Sequence, residues 1–489
     1  MLAITKMSRK KQIRLMAVVT VAALAAAALA GCSSSSSAAA GEVTITLSGP
    51  NQFTSDTKTF GPAWDQLVAK FEKDNPNITL KTNVLPLSSW AQTSAAQLTA
   101  GTAPELIFNQ TTHTPDQVVS LDSYMKNKNP FSSTGNPWIE GFNGKYFAGP
   151  NGLGKNLAGH YESIPFNLVS VGIYYNKDIL SKVGVAASSL STFDGFTKAC
   201  VAIKKAGYAP LATDSGNLPV GFTVTALGSM LLDTELTKIN QFASDGTPGT
   251  NTPVTVKSVA HAYLSGELNI QTDSGFAETL KVLKKFYDNC ATPNWSGIQS
   301  QGSFTGGTDF PGGKAAMAWG TNFASTSLAT ADFKYGTLPF PEVSTSDSKV
   351  ATGKPAQFGV NNGGTAYMIP AYIKGKQRDA AITFLQYMSS PKVQTWLDKT
   401  GGIPAITALK APPGLDAMNS GPWATLSLFG QSGGLFGTPA AIAAQNKYEG
   451  YLLGSSTLSN ALAKFQSDAV AWSKEAVAQG KWTEDWATK

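Results

Sequence analysis

The chain has 489 residues, with 38 Lys and Arg against 32 Asp and Glu, for a formal net charge of +6. Five of the positive charges precede residue 15 and the remainder nearly balances, so the charge gives no argument for a nucleic-acid partner and none is expected. Charged residues make up 14 % and hydrophobic ones 42 %, which suits an exported globular protein rather than a disordered one, and the length exceeds what one hydrophobic core serves, so at least two domains are expected.

Lys6, Arg9, Lys10, Lys11 and Arg14 precede the run Leu15 to Ala30, which is apolar apart from Thr20. This is the pattern of a secretory signal, and the run is short of the roughly 20 residues that a spanning helix needs. It ends in "LAGC", which resembles the lipobox of bacterial lipoproteins, with Cys32 as the thiol that receives lipid. The alternative is a plain signal peptide with an incidental cysteine. "SSSSSAAAG" follows as a flexible polar tether. The expected division is a signal peptide over 1–31 and a tether over 32–41, which places the mature chain on the outer face of the cytoplasmic membrane.

"EVTITLSG" reads as a strand. Pro62 then sits where a first helical turn tolerates it, and Trp64, Leu67, Val68 and Phe71 follow at i, i+3, i+4 and i+7. Asn75 and Pro76 stop this helix. "ITLKTNV" alternates as a second strand, "SSWAQTSAAQLTAG" is a helix with Ser89 as its cap and Gly101 beyond its end, and "ELIF" is a third strand. Strands and helices in turn predict a parallel sheet covered on both faces.

"GPNGLGKN", Gly149 to Asn156, approaches the phosphate loop of a nucleotide hydrolase. The loop needs a hydroxyl after its lysine and a helix behind it. Asn156 occupies the hydroxyl position, and Gly159 and Pro165 interrupt the helix, so the segment reads as a glycine-rich surface turn.

A second alternation begins at "SVGIYYN". It continues through a helix from about Thr192, with Phe193, Phe196, Cys200 and Ile203 on one side and Gly207 after it, into the strand "APLAT". Apolar stripes recur at Ala381, Phe384, Leu385 and Met388, and at Leu458, Leu462, Phe465, Ala469 and Trp472. Cys200 and Cys290 each fall in a helical segment. They could pair in an oxidising exterior, with two buried free thiols as the alternative.

"IPFNLVSVGIYYNKDILSKVGV" (Ile164 to Val185) resembles the extracellular solute-binding proteins of ABC importers, in the sugar-binding family 1 branch related to maltose-binding protein. The likeness continues in "FPGGKAAMAWGTNF", "YGTLPFPE" and "GGTAYMIPAYIKGKQRDAAITFLQYMSSPKVQTWLDKTGGIPA", in the family's order and over most of the mature chain. Each block also has a physical reading: "YYNKD" joins a strand to a polar turn, "GKAAM" packs small residues, and "SSPKVQTWL" is a capped amphipathic helix. The resemblance implies an α/β, two-lobed fold of the periplasmic-binding-protein type II class. Each lobe would be a parallel-rich sheet flanked by helices, hinged by crossover strands. Lobe one is expected at 42–164 plus 363–408, and lobe two at 165–362 plus 409–489.

In open α/β sheets ligands lie beyond the carboxyl ends of the strands. That rule selects Asn51, Gln52 and Phe53 after the first strand, Asn109 and Gln110 after "ELIF", Phe166, Asn167 and Ser170 past the first crossing, and Asp214 and Asn217 past "APLAT". Trp319, Thr321, Asn322 and Phe323 follow "GKAAM", and Asn362, Gly363 and Gly364 occupy the second crossing. The resemblance implies sugar contacts at these places: an aromatic ring suits the C–H face of a pyranose, and amides and carboxylates satisfy its hydroxyls. Related maltose binders often carry an aromatic and a carboxylate where Asn109 and Val169 stand here, which argues against maltose itself.

"GQSGG", Gly430 to Gly434, fits a nucleophile elbow around Ser432, but a catalytic histidine should follow it, and His113, His160 and His261 all precede it. These histidines have no metal-ligand spacing, so neither a metal nor a cofactor is expected. The expected function is a lipid-anchored receptor, monomeric and not an enzyme, that delivers a mono- or oligosaccharide to ABC permease subunits. A secreted glycoside hydrolase and a non-transport sugar sensor or adhesin are the alternatives.

Overall fold

The computed structural model describes residues 42–51, 58–86, 89–132, 135–149, 152–156, 159–299, 304–360, 365–430, 434–443 and 445–488. Along the chain the strands and longer helices are β1 (Val43–Pro50), α1 (Pro62–Asp74), β2 (Ile78–Leu85), α2 (Trp90–Thr99), β3 (Leu106–Phe108), β4 (Ile164–Pro165), β5 (Val171–Asn176), α3 (Lys177–Val183), α4 (Phe193–Lys205), β6 (Ala209–Ala212), α5 (Asn217–Leu231) and α6 (Asp233–Ile239). They continue as α7 (Val256–Ser265), α8 (Ser274–Cys290), β7 (Ala315–Thr321), β8 (Tyr335–Leu338), β9 (Ala366–Met368), α9 (Gly375–Met388), α10 (Gln394–Thr400) and α11 (Leu458–Gly480).

Local chemistry accounts for the first lobe's elements. Pro62 opens α1, whose Trp64, Leu67 and Phe71 are buried at the expected helical spacing. Behind α2 the chain turns at Gly101 with φ +69°. The Ser89 carbonyl accepts from the amide of Thr93, but its side chain accepts nothing from α2, so that helix lacks the side-chain cap its sequence predicts. β1 lies parallel to β2 from Val43 opposite Ile78 to Pro50 opposite Leu85, and parallel to β3 at Leu47 opposite Leu106. β9 then joins antiparallel to β3, and β4 antiparallel to β9, giving the order β2-β1-β3-β9-β4.

The second sheet runs β6-β7-β5-β8. β6 and β7 are parallel, but β5 is antiparallel to both β7 and β8. This corrects the parallel-rich expectation for lobe two. β5 enters from the other lobe rather than through a crossover helix, so nothing obliges it to run with its neighbours. Its end is sharply set: the Asn176 side chain accepts from the amides of Asp178 and Ile179 and caps α3. Thr192 caps α4 in the same way through the amide of Gly195.

One buried body of apolar side chains fills lobe two, and a second runs from lobe one to Tyr174, Ala212 and Ala318 of the second sheet. In lobe one Phe166 stacks on Tyr367 at 4.8 Å, and Trp64 packs against both Phe166 and Phe384. In lobe two Phe196, Phe286 and Phe340 pack between α4, α8 and the sheet. The Cys200 and Cys290 sulfurs are bonded at 2.08 Å and tie α4 to α8.

The chain passes between the sheets from β4 to β5 and again from β8 to β9, and a third time after α10. These crossings are bonded to one another. Phe166 donates its amide to Thr365 O at 2.9 Å, and Leu168 donates to Ile403 O at 2.7 Å. Backbone groups that leave one sheet without entering the next are thereby satisfied.

Candidate functional site

Where the lobes meet, a cleft of about 500 Å³ opens. Gln110, just beyond β3, faces it from lobe one, and Val169, Ser170 and Val171 form its floor at the first crossing. One wall is the N-terminal half of α5, from Asn217 to Thr225. This helix is apolar around its whole circumference, so it sits deep in lobe two with only its first turns reaching the cleft. Gly228 lets it approach Phe429, whose ring a Cβ there would meet at 2.4 Å. Thr321 and Phe358 line the cleft beside it, and a further wall comes from Thr438, Ala443 and Gln445 to Tyr448.

Four of the residues selected at strand ends, Gln110, Ser170, Asn217 and Thr321, therefore face one cavity. Others at the same strand ends turn inward. Phe166 belongs to the aromatic core of lobe one. Trp319 is 0 % exposed, lies flat against Phe340 with an interplanar angle of 4°, and packs on Phe222, which lines the cavity. The Asp214 carboxylate is spent on two backbone amides, those of Gly216 at 2.9 Å and Gly306 at 2.8 Å. It fixes the turn into α5 rather than facing a ligand.

Asn167 and Asn322 are both fully buried. Asn167 bonds to the Thr365 hydroxyl across the two crossings. Asn322 accepts from the amide of Ser170 at 2.9 Å and donates to Gly401 O at 2.7 Å, so one side chain ties three segments. Phe323 is half-buried and is not among the residues lining the cavity. Asn51 and Asn109 sit at the carboxyl ends of β1 and β3 on the lobe-one side; the Asn109 Oδ1 is buried without a hydrogen-bond partner among the described residues. Gln52, Phe53, Asn362, Gly363, Gly364 and Cys32 lie outside the described residues, as does Ser432.

Strand-end reasoning missed Phe222, Phe358 and the wall from Thr438 to Tyr448. That wall follows no strand, so the rule had nothing to select it by. Lys447 is the one charged side chain among the described residues that line the cavity. Burial pushes its ammonium down to about 7, with Asp468 opposing and Lys464 adding to the shift. The described lining is thus amide, hydroxyl, aromatic and aliphatic, and it brings no pair of carboxylates together.

A family model described as bacterial extracellular solute-binding protein matches residues 54–395. The chain belongs to this family. As a solute-binding protein it is an extracytoplasmic receptor and not an enzyme. A putative binding protein of Brucella abortus is 29 % identical over 154 residues, 30 % of this chain and 32 % of that protein. An uncharacterized ABC transporter extracellular-binding protein of Pyrococcus horikoshii is 28 % identical over 163 residues, 32 % of this chain and 34 % of its own length. The alignment thus spans about a third of these curated relatives.

Solved structures match the solute-binding fold over nearly the whole chain. A chitin oligosaccharide binding protein superposes with TM-score 0.61 at 17 % identity, covering 88 % of this chain and 99 % of its own. An ABC substrate-binding protein of Listeria monocytogenes, in complex with cycloalternan, superposes with TM-score 0.57 at 17 % identity over 90 % of this chain and all of its own.

Proposed function

We propose that this solute-binding protein captures an oligosaccharide in the interlobe cleft and delivers it, chemically unchanged, to the permease subunits of an ABC importer. The observation that carries the reading is the cleft itself. Its volume lies within the range of about 300–1,000 Å³ usual for small-ligand sites. Its described lining combines rings at Phe222, Phe358 and Tyr448 with side-chain amides at Gln110, Asn217, Gln445 and Asn446. Rings cover the C–H faces of a pyranose, and amides answer hydroxyls that are costly to bury unpaired. Structural relatives named for chitin oligosaccharide, raffinose and cycloalternan support a carbohydrate.

Asn51 and Asn109 would extend the site into lobe one. The lobes, expected at 42–164 plus 363–408 and 165–362 plus 409–489, with Pro165 and Phe166 packing on the first, would close on the ligand about the bonded crossings. Lipid at Cys32, after removal of 1–31, would hold the receptor by its tether at the outer face of the membrane. Thermal denaturation of the mature chain against a panel of chitin, xylan, raffinose-type and malto-oligosaccharides tests the ligand class. A sugar at 100 times its dissociation constant should add roughly 2.7 kcal/mol. No shift with any member of the panel would overturn the carbohydrate assignment, and release of shorter sugars would overturn delivery without chemistry.

A further inference from the structure

The cleft wall that follows no strand needs something to hold it, because a segment without ladder hydrogen bonds must be fixed by side chains. Four contacts do so. The Tyr263 hydroxyl of α7 donates to Leu435 O. Lys447 Nζ donates to Phe436 O at 2.8 Å and to Gly437 O. The amide of Ala440 donates to Glu475 of α11 at 2.9 Å, and Asn217 Nδ2 of α5 donates to Ala443 O at 3.1 Å. Gly437, at φ +50°, lies so close to α11 that a Cβ would meet the Ala469 Cα at 2.3 Å.

Lys447 differs from Tyr263, Glu475 and Asn217 in that its side chain comes from the wall it ties. Its Nζ lies 5.6 Å from the Tyr448 ring centre and 5.3 Å from that of Phe465 on α11. We propose that Lys447 is a positioning residue for the cleft: its donors bind the Phe436 and Gly437 carbonyls and so hold the described wall residues, Thr438 to Ala443 and Gln445 to Tyr448, against α11. As a statement about ligand binding this rests on the cleft being the ligand site. As a statement about the wall it does not.

A pH dependence follows. The charged and titratable groups facing Lys447 are Lys464 and Asp468 of α11, paired with each other at 2.9 Å, and the buried Tyr448 phenol, which stays neutral. The balance favours the neutral amine above about pH 7, and that amine still has two N–H donors for the two carbonyls. Opening the wall returns Lys447 to water, where its ordinary pKa is near 10.4. Opening therefore takes up a proton, and the ratio of closed to open wall rises up to tenfold per pH unit between about 7 and about 10.4.

Amide hydrogen exchange on the mature chain tests this without a ligand. Corrected for intrinsic rates, peptides within 436–446 should gain protection between pH 6 and pH 8.5, while α5 and β5 show no such trend. Lys447→Met should raise exchange in 436–446 by about tenfold at pH 8.5 and abolish the pH trend. A flat wild-type profile, an unchanged Lys447→Met, or a rise spread evenly over lobe two would each overturn the assignment. Should Lys447→Met fail to fold, the wild-type profile decides alone. A sugar panel that fails would leave this test intact.

Discussion

His113 sits between two acceptors. Its Nδ1 is 2.6 Å from the Thr111 carbonyl and its Nε2 3.1 Å from the Glu162 carboxylate. Satisfying both requires a proton on each nitrogen, so the ring is held as the cation, and the Glu162 bond raises its pKa above the usual value against the cost of burial. A raised folded pKa adds stability that is fully present below pH 6.5 and is lost as pH rises through the folded value. Urea denaturation should show this loss on the alkaline side of pH 6.5, and Glu162→Gln should flatten it; an identical pH profile in the variant would count against the ion pair. Trp319 supplies a second prediction. As a fully buried ring, its replacement in Trp319→Ala should cost about 3–5 kcal/mol of stability, so its effect on binding cannot be read separately from unfolding. Asn322→Ala should cost about 1–3 kcal/mol, because it strands the Ser170 amide at the crossing. Equilibrium denaturation measures both, and a loss near zero for either would contradict its buried placement.

At the scale of elements, α4 and α8 are joined twice, by aromatic packing between Phe196 and Phe286 and by Cys200–Cys290, whose positions are 90 residues apart. Replacing both cysteines by serine should lower stability by about 2–5 kcal/mol, measured in guanidinium under non-reducing conditions. An unchanged midpoint would show that the link constrains little. Helix α1 was legible because Pro62, Trp64, Leu67 and Phe71 encode a start and a face at once. Thr192, where a helix was expected to begin, caps α4, and the polar turn expected at "YYNKD" holds Asn176, which caps α3. The strand directions of lobe two were not. An apolar run such as "VGIYYN" is equally at home in a parallel or an antiparallel neighbourhood, and only its entry from β4 decides.

For the molecule as a whole, the sequence blocks marked the two-lobed architecture, yet only part of the cleft could be read from them. Strand ends locate backbone, and a strand's alternation sends neighbouring side chains to opposite faces. Trp319 and Thr321 thus share a face of β7, yet only Thr321, at the last position of the strand, reaches the cavity, while Trp319 is covered by its neighbours and Asn322, past the strand, is buried in the crossing. The Thr438 to Tyr448 wall is brought in by contacts with α5, α7 and α11, all distant in sequence, which no local pattern announces. Gln110 and Gln445 are exposed and face the same cavity, the first beyond β3 of lobe one and the second on that wall. A sugar held between the lobes should contact both. The direct measurement is titration calorimetry of the mature chain, Gln110→Ala and Gln445→Ala against the oligosaccharide that most raises thermal stability. One-to-one binding weakened roughly fivefold or more in each variant, with stability of the free proteins unchanged, is the expected result. Equal affinity in all three proteins would contradict a ligand clasped between the lobes.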